Sequence, residues 1–177
     1  MHAGCVDPRL VILKIAKTVF WYIKYRAVIG KQHMGVDQTI EKILANTRVI
    51  AVVGMSDRED RSSLGVARYL QREGFRIIPV NPNLTGQILG EESYPSLDDI
   101  PGKVDLVDIF RRPIDVPPVI DAAIRVGASA VWMQLGIVHQ EAAHLARAAG
   151  LDVVMDRCTA IEHRRLVWQG KNNANRK

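Results

Sequence analysis

From Arg48 to Leu166 the chain alternates short, mainly apolar runs with stretches whose apolar residues recur at helical spacing. The runs are Arg48–Val53 (RVIAVV), Arg76–Val80, Val104–Phe110 (VDLVDIF), Ser129–Met133 and Asp152–Met155. A strand with one wet face alternates apolar and polar residues, whereas a continuous run suits a strand covered on both sides. Five such strands separated by helices predict an α/β fold, a three-layer α/β/α arrangement around a five-stranded parallel sheet. Right-handed crossovers and a reversal of direction after the third strand predict the order 3-2-1-4-5. A ligand then belongs at the carboxyl ends of the strands, near the switch between strands one and four.

The helices are bounded by recognisable signals. Asp37 caps a short helix through Asn46 that turns Ile40, Ile43 and Leu44 to one side. Ser62 or Ser63 opens a helix with Val66, Ala67 and Leu70 on its inner face, and Gly74 closes it. Further helices are predicted over Asp115–Val126, His139–Ala149 and Ala160–Leu166. Between the second and third strands lies a long loop, Leu84–Pro101, rich in Gly, Glu, Ser and Pro. At 177 residues there is material for one ordinary domain, placed here over residues 34–168, with a polar tail over 169–177.

The formal net charge of +5 is unevenly placed. Residues 1–33 carry six basic side chains and one acid, while the 18 basic and 18 acidic residues after them cancel. The basic balance therefore does not mark the domain as a nucleic-acid binder. Lysines interrupt the apolar stretch 10–29, so it makes a poor membrane span; Lys14, Lys17 and Lys24 on one helical face would suit an anionic membrane surface. Three readings of the extension stay open: a non-native or dispensable upstream segment ahead of Met34, a docking or membrane-surface helix, and a targeting segment. Two cysteines, Cys5 and Cys158, exclude a disulfide scaffold and fit a reducing, cytoplasmic setting.

The strand ends carry the candidate chemistry. After the first strand, Gly54 permits a tight turn, and Ser56, Ser62, Ser63, Arg58 and Arg61 surround the start of a helix, whose free N–H groups attract anions. There is no G-x-G-x-x-G, and the second strand ends in Asn81-Pro82 where a dinucleotide site places Asp or Glu. Pro82 offers an apolar surface to a flat base, or simply stops the strand. Arg111 and Arg112 end the third strand and suit either phosphate or a salt bridge to Asp108 or Asp115. Gln134 and Gly136 follow the fourth strand within reach of a ligand; Trp132 and Met133 read as core. Cys158 lies near the crevice mouth. His139 and His144 are five apart and do not share a helix face as metal ligands, and Glu162-His163 reads as structural. No catalytic constellation is evident.

In order along the chain stand VVGMS (52–56), PVNP (79–82), LGEESYPSLDDIP (89–101), VDLVDIFRRP (104–113), VWMQLGI (131–137) and VMDRCTAIEHRRL (154–166). With these segments the body resembles the single-domain CoA-binding protein family, which is similar to the CoA-binding domain of the succinyl-CoA synthetase alpha subunit. The resemblance implies a Rossmann-like fold that binds coenzyme A at its strand ends. It implies that Gly54, Met55 and Ser56 line the turn receiving the nucleotide, and that Arg61 and Ser62 sit near phosphate. Val80, Asn81 and Pro82 would border the adenine, and Phe110, Arg111 and Arg112 would flank the ligand. The synthetase's phosphorylated histidine belongs to a further domain and has no match here. The leading reading is thus a module that binds CoA or acyl-CoA without its own chemistry. An NAD(P)-linked oxidoreductase and a protein- or membrane-interaction module are the alternatives.

Overall fold

The computed structural model describes residues 35–174, and the compact unit described here begins at Val36. The predicted extension 1–33, with its lysine-bearing stretch 10–29, lies outside the described residues. Seven strands form, β1 (Val49–Val53), β2 (Arg76–Val80), β3 (Gln87–Ile88), β4 (Glu91–Glu92), β5 (Leu106–Ile109), β6 (Ala130–Met133) and β7 (Asp152–Val154). The helices are α1 (Val36–Asn46), α2 (Ser62–Arg72), α3 (Val116–Arg125), α4 (Gln140–Ala148) and α5 (Thr159–Ala174). The last runs past the predicted Leu166, so residues 169–174 of the predicted polar tail are helical. Among the described residues no helix is long and apolar enough to cross a membrane.

The five long strands make one parallel sheet, and alternate residues feed two cores. Ala51, Val53, Val107, Ile109, Val131 and Met133 pack against α3 and α4 on one side. Ile50, Val52, Leu106 and Trp132 pack against α1 and α2 on the other. Both faces are covered, which is why the strand runs are mainly apolar rather than alternating. The Rossmann-like α/β architecture is as the sequence predicts.

The strand order differs. The sheet runs β2-β1-β5-β6-β7, which in long strands alone is 2-1-3-4-5 rather than 3-2-1-4-5. The third long strand, β5, lies on the far side of β1, with Ala51 beside Val107 and Val53 beside Ile109. The cause lies in β2. Pro79 has no N–H and cannot donate to a neighbour on its outer side, so β2 must be an edge. The long loop covers that edge at one point: the Tyr94 amide donates to the Pro79 carbonyl at 2.9 Å, and the Asn81 amide donates back to Tyr94. With β2 at the edge, the direction reverses between β1 and β5, and the crevice shifts there from the predicted position between strands one and four.

Candidate functional site

The site is built around the turn that leaves β1. Gly54 has φ +87°, and its amide donates to the Val80 carbonyl at 2.9 Å, locking the turn to the end of β2. A Cβ here would fall inside van der Waals contact of the Phe110 carbonyl and within 3.3 Å of the Arg111 side chain. The bare glycine therefore lets the exits of β1 and β5 close on one another, with the stem of Arg111 lying over the turn. Phe110 itself is half-buried and donates its amide to Val53.

Beyond Gly54 the predicted residues separate by what they present. Met55 is fully buried, so its side chain belongs to the core and only its backbone reaches the turn. Its carbonyl accepts from Asn81 Nδ2 at 2.7 Å, while Asn81 Oδ1 accepts from the Asn83 amide. Asn81 thus ties two strand exits together. Ser63 is buried and accepts from the Ser56 amide at 3.2 Å, folding the loop onto α2. Arg61 occupies the N-cap position of α2 and no side chain caps that helix, which leaves its first amides for water or an anion. Ser62 and Pro82 are exposed, and Val80 is buried at the end of β2.

The four arginines around the crevice also divide. Arg58 is held by Asp60 at 2.8 Å and Arg112 by Asp115 at 2.8 Å. The Arg112 guanidinium holds the Asp115 carboxyl below its usual range, and the carboxylate raises Arg112 in return. Arg61 and Arg111 make no ion pair among the described residues. Arg111 faces a cleft of about 420 Å³ whose floor is the ends of β1 and β2, Val53 and Val80, and whose walls are the 95–98 segment and α3. Leu97, Val119 and Ala122 make the interior apolar, and an ion pair between Arg125 and Asp98, at 2.7 Å, closes the rim. Asp99 accepts from both the Ser96 amide and its hydroxyl, completing a capping box at the start of the short Leu97–Asp99 turn.

One polar group inside the sheet is not legible as a site residue from local pattern. Asp108, on β5, is completely buried. Gln134 Nε2 donates to it at 2.8 Å and Thr159 Oγ1 at 3.0 Å, and the same amide donates to Thr159 at 2.7 Å. Burial pushes the carboxyl up to about 7, against the hydrogen bonds, which pull it down. Gln134, predicted within reach of a ligand, is thus buried with its amide engaged by Asp108 and Thr159, and Asp108 is no partner for Arg111 or Arg112. The only signal was a charge in the middle of the run VDLVDIF.

Glu162 is buried between Arg157 and Arg165, and His163 accepts or donates at 2.9 Å with the Tyr69 hydroxyl. Trp132 is fully buried and donates to the Arg157 carbonyl at 2.7 Å. Cys158 is half-buried. No group of three or more metal-ligating side chains gathers among the described residues.

A family model described as a CoA binding domain matches residues 48–164. The chain is 40% identical over 124 residues to the uncharacterized protein YneT of Bacillus subtilis, covering 70% of this chain and 91% of that one. It is 34% identical over 97 residues to an acetate–CoA ligase (ADP-forming) II of Archaeoglobus fulgidus, covering 52% of this chain but 14% of the ligase. Among solved structures, a hypothetical protein from Pyrococcus horikoshii superposes with a TM-score of 0.71 at 39% identity, over 74% of this chain and 92% of that one.

Proposed function

The chain belongs to the CoA-binding domain family, and from that premise we propose that it binds coenzyme A or an acyl-CoA at the β1–β5 strand exits as a non-catalytic binding or sensing module. The observation that carries the reading is the pairing of an uncapped helix start, at Arg61 and Ser62, with a guanidinium free of ion pairs among the described residues, Arg111, on either side of the Gly54 turn. The diphosphate takes the α2 amides and Arg61. The adenine takes the apolar cleft beside Val80, with Arg111 at its mouth. Asn81 and Pro82 shape the adjoining loop, Ser56 and the Met55 backbone line the turn, and Phe110 flanks the pantetheine arm. Arg112 contributes through its hold on Asp115 rather than by contact. The setting is the cytoplasm.

Thermal unfolding of the full chain with CoA, dephospho-CoA, ATP, NAD and NADP tests this. A ligand at about 100 times its Kd stabilises by roughly 2.7 kcal/mol, on the order of 5–10 °C for a domain of this size. CoA is expected to give the largest shift and NAD little. A shift with NAD or NADP alone would overturn the reading in favour of a hydride-transfer enzyme, and no shift with any nucleotide would favour an interaction module.

A further inference from the structure

Asp108, Gln134 and Thr159 come from three separate segments, and each stands at the threshold of a strand-end loop. Asp108 precedes Phe110 and Arg111 by two and three residues, Gln134 is the first residue past β6, and Thr159 opens α5 directly after Cys158. All three are buried, at 0–4% exposure. Both donors point at the carboxylate, and the Gln134 amide also fixes the Thr159 hydroxyl. The surroundings of this cluster are apolar. Val52 and Trp132 are the register partners of Asp108 on its two neighbouring strands. Of the charged residues in the first turns of α5, Glu162 and Arg165 are engaged with each other and with Arg157 and Asp37, and Arg164 lies over the Tyr69 ring. Burial raises the Asp108 carboxyl and the hydrogen bonds from Gln134 and Thr159 lower it.

We propose that Asp108 takes up a proton when an anionic ligand enters the strand-end crevice, so that occupancy of the site is linked to pH through the buried Asp108–Gln134–Thr159 cluster. This linkage rests on the CoA reading above. Two to three residues of extended strand place the carboxylate roughly 10 Å from the crevice. At an effective dielectric of about 20, one added negative charge at that distance raises the carboxyl by about one pH unit. Its ordinary protonation already changes near neutrality, so the added charge acts where it matters. By reciprocity the ligand then binds up to about tenfold more tightly below this range than above it.

Isothermal titration of the full chain with CoA at pH 7, in imidazole and in PIPES, reads the protons taken up from the dependence on buffer ionisation enthalpy. Wild type is expected to take up about 0.4 of a proton, the change for a midpoint moving from about 7 to about 8, and Asp108→Asn none. Dephospho-CoA repeats the titration without the 3′-phosphate, whose own proton leaves near pH 6. Saturable heat with no buffer dependence, or the same uptake in Asp108→Asn, overturns the linkage and leaves the CoA reading standing. No saturable heat in either buffer overturns both. The carbon-13 shift of the Asp108 carboxyl in wild type needs no variant: its titration midpoint rises by about one unit with CoA, and an unmoved midpoint overturns the proposal.

Discussion

Asp108 makes the stability of the folded chain fall as pH rises through neutrality. In the unfolded chain its carboxyl titrates near 3.8; in the fold it titrates near 7. Between those values the folded state holds the proton that the unfolded state has lost. The contribution of Asp108 to stability is therefore greatest below about 4 and decreases up to about 7, above which both states are ionised. A rise of about three pH units, at about 1.36 kcal/mol for each, gives about 4 kcal/mol in all, of which about 3 kcal/mol falls between pH 5 and 8. Other groups act in the opposite sense. Asp105 is lowered, so its share is lost only as pH falls into the acid range. His163 is lowered by burial, so its share too is lost as pH falls, in a window that overlaps that of Asp108. The wild type minus Asp108→Asn difference removes both. Urea unfolding of the two proteins at pH 5, 6, 7 and 8 is expected to show the variant gaining about 3 kcal/mol on wild type across the series. A difference that stays within about 0.5 kcal/mol from pH 5 to pH 8 would refute the reasoning, because it would mean that the buried carboxyl keeps its unfolded-state acidity.

Two further substitutions probe the same architecture. Gly54→Ala introduces a Cβ at φ +87° and against the Phe110 carbonyl; a loss of about 2–4 kcal/mol is expected from backbone strain and displaced strand exits, read by urea unfolding, and a loss below about 1 kcal/mol would show that the exits do not need to meet so closely. Thr159→Val removes a donor to Asp108 and an acceptor for Gln134; it should cost about 1–3 kcal/mol at pH 8 and raise the Asp108 midpoint further, and an unchanged midpoint by carbon-13 titration would contradict the hydrogen-bond assignment.

The layers of the fold were legible because burial on both faces leaves a direct trace, the mainly apolar run. The strand order was not, although one residue excluded the order expected. Pro79 sits in the second run between Ile78 and Val80, and a strand flanked on both sides cannot tolerate the missing N–H there. Taken at its physical meaning, it excludes any order that places the second strand between two others, 3-2-1-4-5 included. The residue alone does not reveal that Tyr94, well along the loop, donates to the Pro79 carbonyl. That contact depends on where the long loop runs, which no local spacing prescribes.

The candidate residues at the strand exits were legible as a set, but not which of them are engaged by neighbouring carboxylates. Arg111 and Arg112 are adjacent and chemically identical, and both phosphate binding and a salt bridge were consistent with either. Position in the strand exit separates them. Arg111 still lies over the Gly54 turn and faces the cleft, whereas Arg112 has entered the next turn, three residues from Asp115, which neutralises it. The same holds for Arg58 and Arg61, where Asp60 engages the first and leaves the second at the bare start of α2. In each pair a carboxylate two or three residues along the chain engages one guanidinium and leaves the other without an ion pair among the described residues. A phosphate site read from arginine count alone would thus overstate its charge by a factor of two, because the crevice offers an anion two cations and one helix start.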